Sequence, residues 1–325
     1  MKTRYLHLIV LIVSGVFLVL AGLFYTKQLL KPSNLKSDIQ KNQQPITIVA
    51  LGDVVCEPEN PTTNTTCRAK SVAKQIKKIN PSAVLLLGDL QYWTGALTDY
   101  KVAFAKVWAD FEDDTIVPSP GNHEYKTENA SGYYQYFGKR AGDKEKGYYA
   151  KSLGSWLILA LNSNCEYIGG CDKNSPQAKW LERKLDLSGS RCTLAYWHHP
   201  LFTSGPHNDL ESTQRSRYFW QLLSDKKADI ILNGHDHLYE RFNKQDDTGS
   251  ATKNGVRQFT VGTGGKSLYE MVEKAGNQAY IKTDSFGFLK LNLYQSYYSW
   301  QFISESGETL DQGTGNCNVK QQANT

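Results

Sequence analysis

Six of the seven histidines fall into four short stretches that also carry Asn, Asp or Pro: Gly121-Asn122-His123-Glu124, Trp197-His198-His199-Pro200, the segment around His207, and Gly234-His235-Asp236-His237. Two carboxylates, Asp53 and Asp89, each follow a glycine at the end of an apolar run. Imidazole nitrogen and carboxylate oxygen are the ordinary donors for transition metals. Scattered surface histidines would not concentrate in this way, so the stretches are expected to converge and to hold metal. A two-metal hydrolytic site needs a bridging carboxylate, three or four further ligands for each ion, and open positions for water and substrate. Asp53, Asp89, Asn122, His198, His235 and His237 supply six donors. Tyr92 lies three residues after Asp89 and can return to the same ion from the same loop. A phenolate is hard and anionic and suits a trivalent ion such as Fe(III). His198 and His199 are neighbours and on a strand point to opposite faces. One of them therefore ligates; the spacing to Pro200 selects His198 and leaves His199 packed or supporting.

The elements that must position these residues are short apolar strands, each ending in one of the motifs. Residues 46–51 and 83–87 read as buried strands that open into Gly-Asp loops. Residues 116–117, 156–161, 193–197 and 230–232 repeat the pattern of apolar run, then polar motif. Helical spacing covers 68–80, stopping before Pro81, and helices are expected around 99–110, 177–187 and 212–223. Residues 286–293 and 297–303 alternate as an antiparallel hairpin does. In open α/β sheets ligands collect beyond the carboxyl ends of strands, so one cluster of loops can build one site. This defines a single catalytic domain over residues 45–317. The glycines of Gly262-Thr263-Gly264-Gly265 could cradle a phosphate or simply shape the rim of the site, the latter being favoured. Tyr239 and Arg241, just past the last motif, are open to a supporting or a structural role.

Taken together, Gly52-Asp53, Gly88-Asp89-Leu90-Gln91-Tyr92, Gly121-Asn122-His123-Glu124, His198-His199-Pro200 and Gly234-His235-Asp236-His237 resemble the five ordered motifs of the calcineurin-like metallophosphoesterases. The match runs over about residues 46–270. Any one motif is weak alone, and the ordered set is specific. Within that superfamily the tyrosine after Gly-Asp resembles the purple acid phosphatases, closest to the small, tartrate-resistant type. The resemblance implies an α/β fold, a four-layer α/β/β/α sandwich of two mixed sheets flanked by helices. It also implies roles. Asp89 would bridge two metals; Asp53, Tyr92 and His237 would hold Fe(III); Asn122, His198 and His235 would hold Fe(II), Zn(II) or Mn(II). His123 would face the phosphate, and His207, nine residues after His198, would be the general acid. The implied reaction is hydrolysis of phosphoric monoesters, with hydroxide held by the metal pair attacking phosphorus in line. There is one departure. Many superfamily members carry Asp-x-His in the first motif, whereas Val54 and Val55 follow Asp53 here. That histidine is absent, as in the purple subgroup where tyrosine serves instead.

The rest of the chain bounds these expectations. With 325 residues, 40% hydrophobic and a net charge of +5, it is of globular composition and mildly suited to an anionic substrate. No Lys/Arg block argues for nucleic acid. A small phosphorylated substrate is expected, with no nucleic acid and no obligate protein partner. Lys2 and Arg4 precede an apolar run over 8–24, near the boundary between a signal h-region and a membrane span. Residues 1–25 are read as a signal-anchor in preference to a cleaved signal peptide, and 26–44 as a polar linker. Either reading puts the body outside the cytoplasm, secreted, periplasmic or membrane-anchored. Six cysteines allow 15 pairings. Cys56/Cys67 and Cys165/Cys171 bracket short loops, which leaves Cys192 for Cys317; disulfides suit an exported chain. Residues 318–325 read as a flexible tail. Two other functions compete with a monoesterase: a metal-dependent phosphodiesterase or nucleotidase on the same fold, and a metal-binding protein without catalysis.

Overall fold

Strand β1 (Ile46–Leu51) shows why the domain folds as a layered sandwich: its last four residues are fully buried, which a strand achieves only with a layer on each face. A computed structural model describes residues 44–187 and 192–319. The signal-anchor, nearly all of the linker and residues 320–325 of the tail lie outside them. Among the described residues no helix is long and apolar enough to cross a membrane. Strands β1, β2 (Ala83–Leu87) and β3 (Ile116–Ser119) run parallel. They share a six-stranded sheet with β11 (Gly287–Leu293), β12 (Tyr297–Ser304) and β13 (Thr309–Asn316), in the order β13-β12-β11-β1-β2-β3, and β11 pairs antiparallel with β1. The second sheet has seven strands in the order β10-β8-β9-β7-β6-β5-β4. Its parallel centre is β5 (Trp156–Ala160), β6 (Cys192–Tyr196), β7 (Ile230–Asn233) and β9 (Arg257–Val261). Antiparallel β4 (Tyr149–Leu153), β8 (Tyr239–Phe242) and β10 (Gln278–Lys282) complete it.

Side-chain alternation assigns the layers. In the second sheet Trp156, Ile158, Leu194, Tyr196, Ile230, Leu232 and Phe259 point into the core shared with the first sheet, alongside Ala50, Leu85 and Leu289. Their neighbours Leu157, Leu159, Ala195 and Ile231 face the other way. There they meet α3 (Pro176–Asp186) and α4 (Arg217–Asp225) through Leu181, Phe219, Trp220 and Leu223. The first sheet is covered by α1 (Ala69–Ile79), a helical stretch over 97–108, and α2 (Ser131–Phe137). Helix α1 buries Val72, Ala73 and Ile76 and exposes Lys70, Lys74, Lys77 and Lys78; it ends at Asn80 in a left-handed conformation ahead of Pro81. The α/β/β/α sandwich implied by the sequence is the fold observed.

Two expectations need correction. The helix expected over 212–223 is two pieces, Leu210–Gln214 and Arg217–Asp225, parted at Ser216, whose hydroxyl donates to the His199 carbonyl. The tail expected from 318 is fixed at its first residue: Asn318 is buried and its amide donates to the carbonyls of Ala228 and Gly255 at 2.7 and 3.1 Å. The disulfides are Cys56–Cys67, Cys165–Cys171 and Cys192–Cys317, and no described cysteine is free.

Candidate metal centre

Each site residue stands at the carboxyl end of a strand, and both sheets contribute. Asp53 follows β1, Asp89 and Tyr92 follow β2, and Asn122 follows β3; His198 follows β6, and His235 and His237 follow β7. The chain leaves these strands through strained turns. Asp53, Asp89 and His235 have φ of 59°, 49° and 73°, a left-handed conformation rare outside glycine that persists where surroundings impose it. Glycines allow the loops to approach. A Cβ on Gly121 would lie 2.2 Å from Asp89 Oδ1, and Gly88, with φ of 88°, would place one 2.6 Å from His198 Nδ1.

The donor atoms converge. Tyr92, 1% exposed, places its hydroxyl 2.9 Å from Asp53 Oδ1, 3.1 Å from Asp89 Oδ2 and 3.0 Å from His237 Nε2. On the other side of Asp89, His198 Nε2 is 3.2 Å from its Oδ2, 3.0 Å from Asn122 Oδ1 and 3.2 Å from His235 Nδ1. Asp89 Oδ2 thus lies between two clusters, one of Asp53, Tyr92 and His237 and one of Asn122, His198 and His235. Backbone carbonyls orient the rings. His198 Nδ1 donates to Leu87 O at 2.9 Å, His237 Nδ1 to Ser267 O at 2.6 Å and His123 Nδ1 to Trp93 O at 2.7 Å, so each turns Nε2 toward the centre. Carboxylate, amide and phenol oxygens with imidazole nitrogens fit a pair of transition metals. One donor atom each from Asp53, Asp89 and His198 lie within 4.8 Å of one another, as do those of His198, His199 and His235.

Electrostatics follow the same geometry. Burial would raise the Asp89 carboxyl, but the His198 and His123 imidazoles outweigh it and hold it well below the usual carboxylate range. Burial would lower His198, but Asp89, then Asp53, lift it to about 9. Protons and cations compete for such a cluster. Burial, then Asp53 and Asp89, push the Tyr92 phenol well above its ordinary value. Burial pushes His235 well below the usual histidine range, and the surrounding imidazoles add to it.

His123 and His207 flank the donors. The His123 amide donates to Asp89 Oδ1 at 2.8 Å, and its Nε2 is 3.7 Å from Asp89 Oδ2 and 3.3 Å from Lys126 Nζ. His207 is held through Nδ1 by Asp236 Oδ1 at 2.8 Å, and its ring lies 4.1 Å from that of His235. That hydrogen bond raises the His207 pKa above its ordinary value, against the opposing effect of burial. His199 is buried, with Nδ1 2.8 Å from Ser163 Oγ and its ring 4.4 Å from His235, as a packed supporting residue would be. The Gly262–Gly265 turn packs against the first motif: Gly264 N donates to Gly52 O and Lys266 N to Asp53 O. It shapes the rim. Tyr239 and Arg241 both bind Asp311 and are structural.

Two residues of the site escaped sequence reasoning. Glu124 is fully buried and accepts from the backbone N–H of Asp89, Leu90 and Gly121 at 2.9, 2.9 and 2.6 Å, and from Tyr100 Oη at 2.9 Å. It ties the second motif to the third. Asp236 orients His207 with one oxygen and accepts from Thr203 with the other. Both stand inside motifs, which was the available signal, but their partners are distant in sequence.

Comparison with known proteins agrees with this architecture. The family profile of calcineurin-like phosphoesterases matches residues 46–239, more than half of the chain, and the chain belongs to that family. It is distantly similar to purple acid phosphatases of plants. It is 24% identical over 290 residues to purple acid phosphatase 1 of Ipomoea batatas, covering 79% of this chain and 59% of that protein. It is 25% identical over 262 residues to the Fe(3+)-Zn(2+) purple acid phosphatase 12 of Arabidopsis thaliana, covering 69% and 54%. For purple acid phosphatase 15 of the same plant the shares are 51% and 36%. The chain thus spans roughly a third to three fifths of these relatives' length. Among solved structures, purple acid phosphatase PPD1 of yellow lupin superposes with a TM-score of 0.72 at 20% identity, covering 84% of this chain and 54% of that one. GAP50, described as the anchor in the inner membrane complex of Plasmodium, superposes with 0.60 at 17% identity, covering 86% and 90%. A fold shared by a phosphatase and an anchor does not decide activity; the site must.

Proposed function

We propose that the chain is a two-metal phosphomonoesterase of the purple acid phosphatase type. Asp89 is the shared carboxylate. Asp53, Tyr92 and His237 surround an Fe(III) position, and Asn122, His198 and His235 a divalent position taken by Fe, Zn or Mn. The observation that carries this reading is the Tyr92 hydroxyl, buried where Asp53, Asp89 and His237 meet. A tyrosine used only for packing would not need its oxygen at the meeting point of three metal-type donors.

A bound metal pair supplies charge neutralisation at the phosphate oxygens and an activated water. The chain's own residues do the rest. His123, pinned through Nδ1, presents Nε2 at the edge of the centre beside Lys126, where both meet the anionic oxygens of a phosphate. His207, fixed by Asp236, holds a proton for the departing alcohol. Three disulfides suit an oxidising compartment. With the apolar run of residues 8–24, that supports an exported enzyme, secreted, periplasmic or tethered by its N-terminal segment.

The test is an optical spectrum with metal analysis on the purified full chain. A broad visible band and about two metals per chain, one of them iron, are expected, and Tyr92→Phe removes the band. Two metals without colour would withdraw Tyr92 and Fe(III) and leave a phosphoesterase. Asp89→Asn is expected to slow hydrolysis of an aryl phosphate by more than about 100-fold; unchanged turnover would end the assignment of the site.

A further inference from the structure

Trp93 stands at the mouth of the metal centre with 56% of its surface exposed, although it adjoins Tyr92, which is buried. Tryptophan is usually well covered, and this one is held firmly in an uncovered position. Its carbonyl accepts from His123 Nδ1 at 2.7 Å, and its ring centroid lies 5.3 Å from that of His123, tilted by 31°. Lys266, itself buried and paired with Glu57 at 2.8 Å, sits 4.5 Å from the indole centroid. Lys126 Nζ is 5.2 Å from the same ring and 3.3 Å from His123 Nε2, and among the described residues no carboxylate pairs with it. An electron-rich aromatic ring braced by two cations thus borders the imidazole placed to meet the phosphate.

We infer that Trp93 is a specificity-determining residue, a shelf on which the substrate's flat heteroaromatic ring stacks while its phosphate lies at the metal centre. The favoured substrates are therefore nucleoside monophosphates over aliphatic and sugar phosphates. Stacking on one aromatic side chain is sequence-tolerant and is removed by loss of the ring's π face. Lys126 adds a charge suited to the phosphate between shelf and metals. The inference rests on the phosphomonoesterase reading.

The test compares adenosine 5′-monophosphate with ribose 5-phosphate, which break the same ester bond and differ only in the base. The metal-loaded full chain is expected to prefer the nucleotide by about tenfold in kcat/KM. Trp93→Phe keeps a preference; Trp93→Leu, which retains apolar bulk, takes the ratio to about one. An unchanged ratio in Trp93→Leu, or equal kcat/KM for both esters in the wild type, overturns the shelf while leaving a working phosphatase. Hydrolysis of neither ester by the metal-loaded wild type would instead remove the phosphomonoesterase reading itself.

Discussion

His207 illustrates how one residue's role is set by a partner far away in sequence. Asp236 fixes its Nδ1 and raises its affinity for a proton. A proton donor matters most where the departing alcohol is a poor leaving group. His207→Ala is therefore expected to lower turnover of an alkyl phosphate by about 100-fold and that of nitrophenyl phosphate by less than about tenfold. Equal losses on the two esters would mean that His207 shapes the site and passes no proton. The seven residues whose donor atoms converge were all readable as candidates, because metal-type donors are chemically distinctive and four of the seven, Asp53, Asp89, Asn122 and His235, follow a glycine just past a strand end. Glu124, Asp236 and Trp93 were not. What each does depends on what the fold brings to it, three backbone amides, a histidine, or solvent, and no spacing within the chain encodes that.

At the scale of elements, β8 and the loop between His198 and His207 are joined by a buried carboxyl. Glu240 accepts from Ser204 N at 3.1 Å, from the Ser204 hydroxyl and from Gln278 Nε2 at 2.7 Å. Burial raises its pKa to about 7 from 4.5, with Asp236 adding to the rise against those hydrogen bonds. Between these values the folded chain holds a proton that the unfolded chain releases, so this contribution to stability is complete below about pH 4.5 and is lost as pH rises through about 7. The effect is of order 3 kcal/mol at most. Melting temperatures measured from pH 4 to 8 should fall over this interval, and less so in Glu240→Gln; parallel curves would show that Glu240 does not drive the change. The strands that carry motifs, and α1 and α3, followed directly from apolar runs and helical spacing. Strand β13 did not: Thr309–Asn316 contains two glycines and little apolar alternation, and only pairing with β12 makes it a strand. The broken helix at Ser216 escaped for a similar reason, since the periodicity continues while the hydroxyl turns to His199.

For the whole molecule, the longest covalent constraint is Cys192–Cys317, which spans 125 residues and ties the end of the first sheet to the start of β6. Closing so long a loop removes much of the freedom of the unfolded chain. Replacing both cysteines with serine is expected to lower the unfolding free energy by about 2–5 kcal/mol. Urea denaturation under oxidising conditions would show it as an earlier midpoint, and an unmoved midpoint would mean that the strands and the buried Asn318 hold the end without it. The sandwich also has a consequence for how the site can drift. Asp53, Asp89, Tyr92 and Asn122 ride on one sheet, and His198, His235 and His237 on the other. Their spacing is therefore an alignment gauge for the two layers. Side chains such as Leu289 and Leu232, which lie in the seam and belong to neither donor cluster, are answerable to the chemistry all the same. A repacking that slides one layer by a fraction of a bond length can leave the protein folded and its two half-sites out of step.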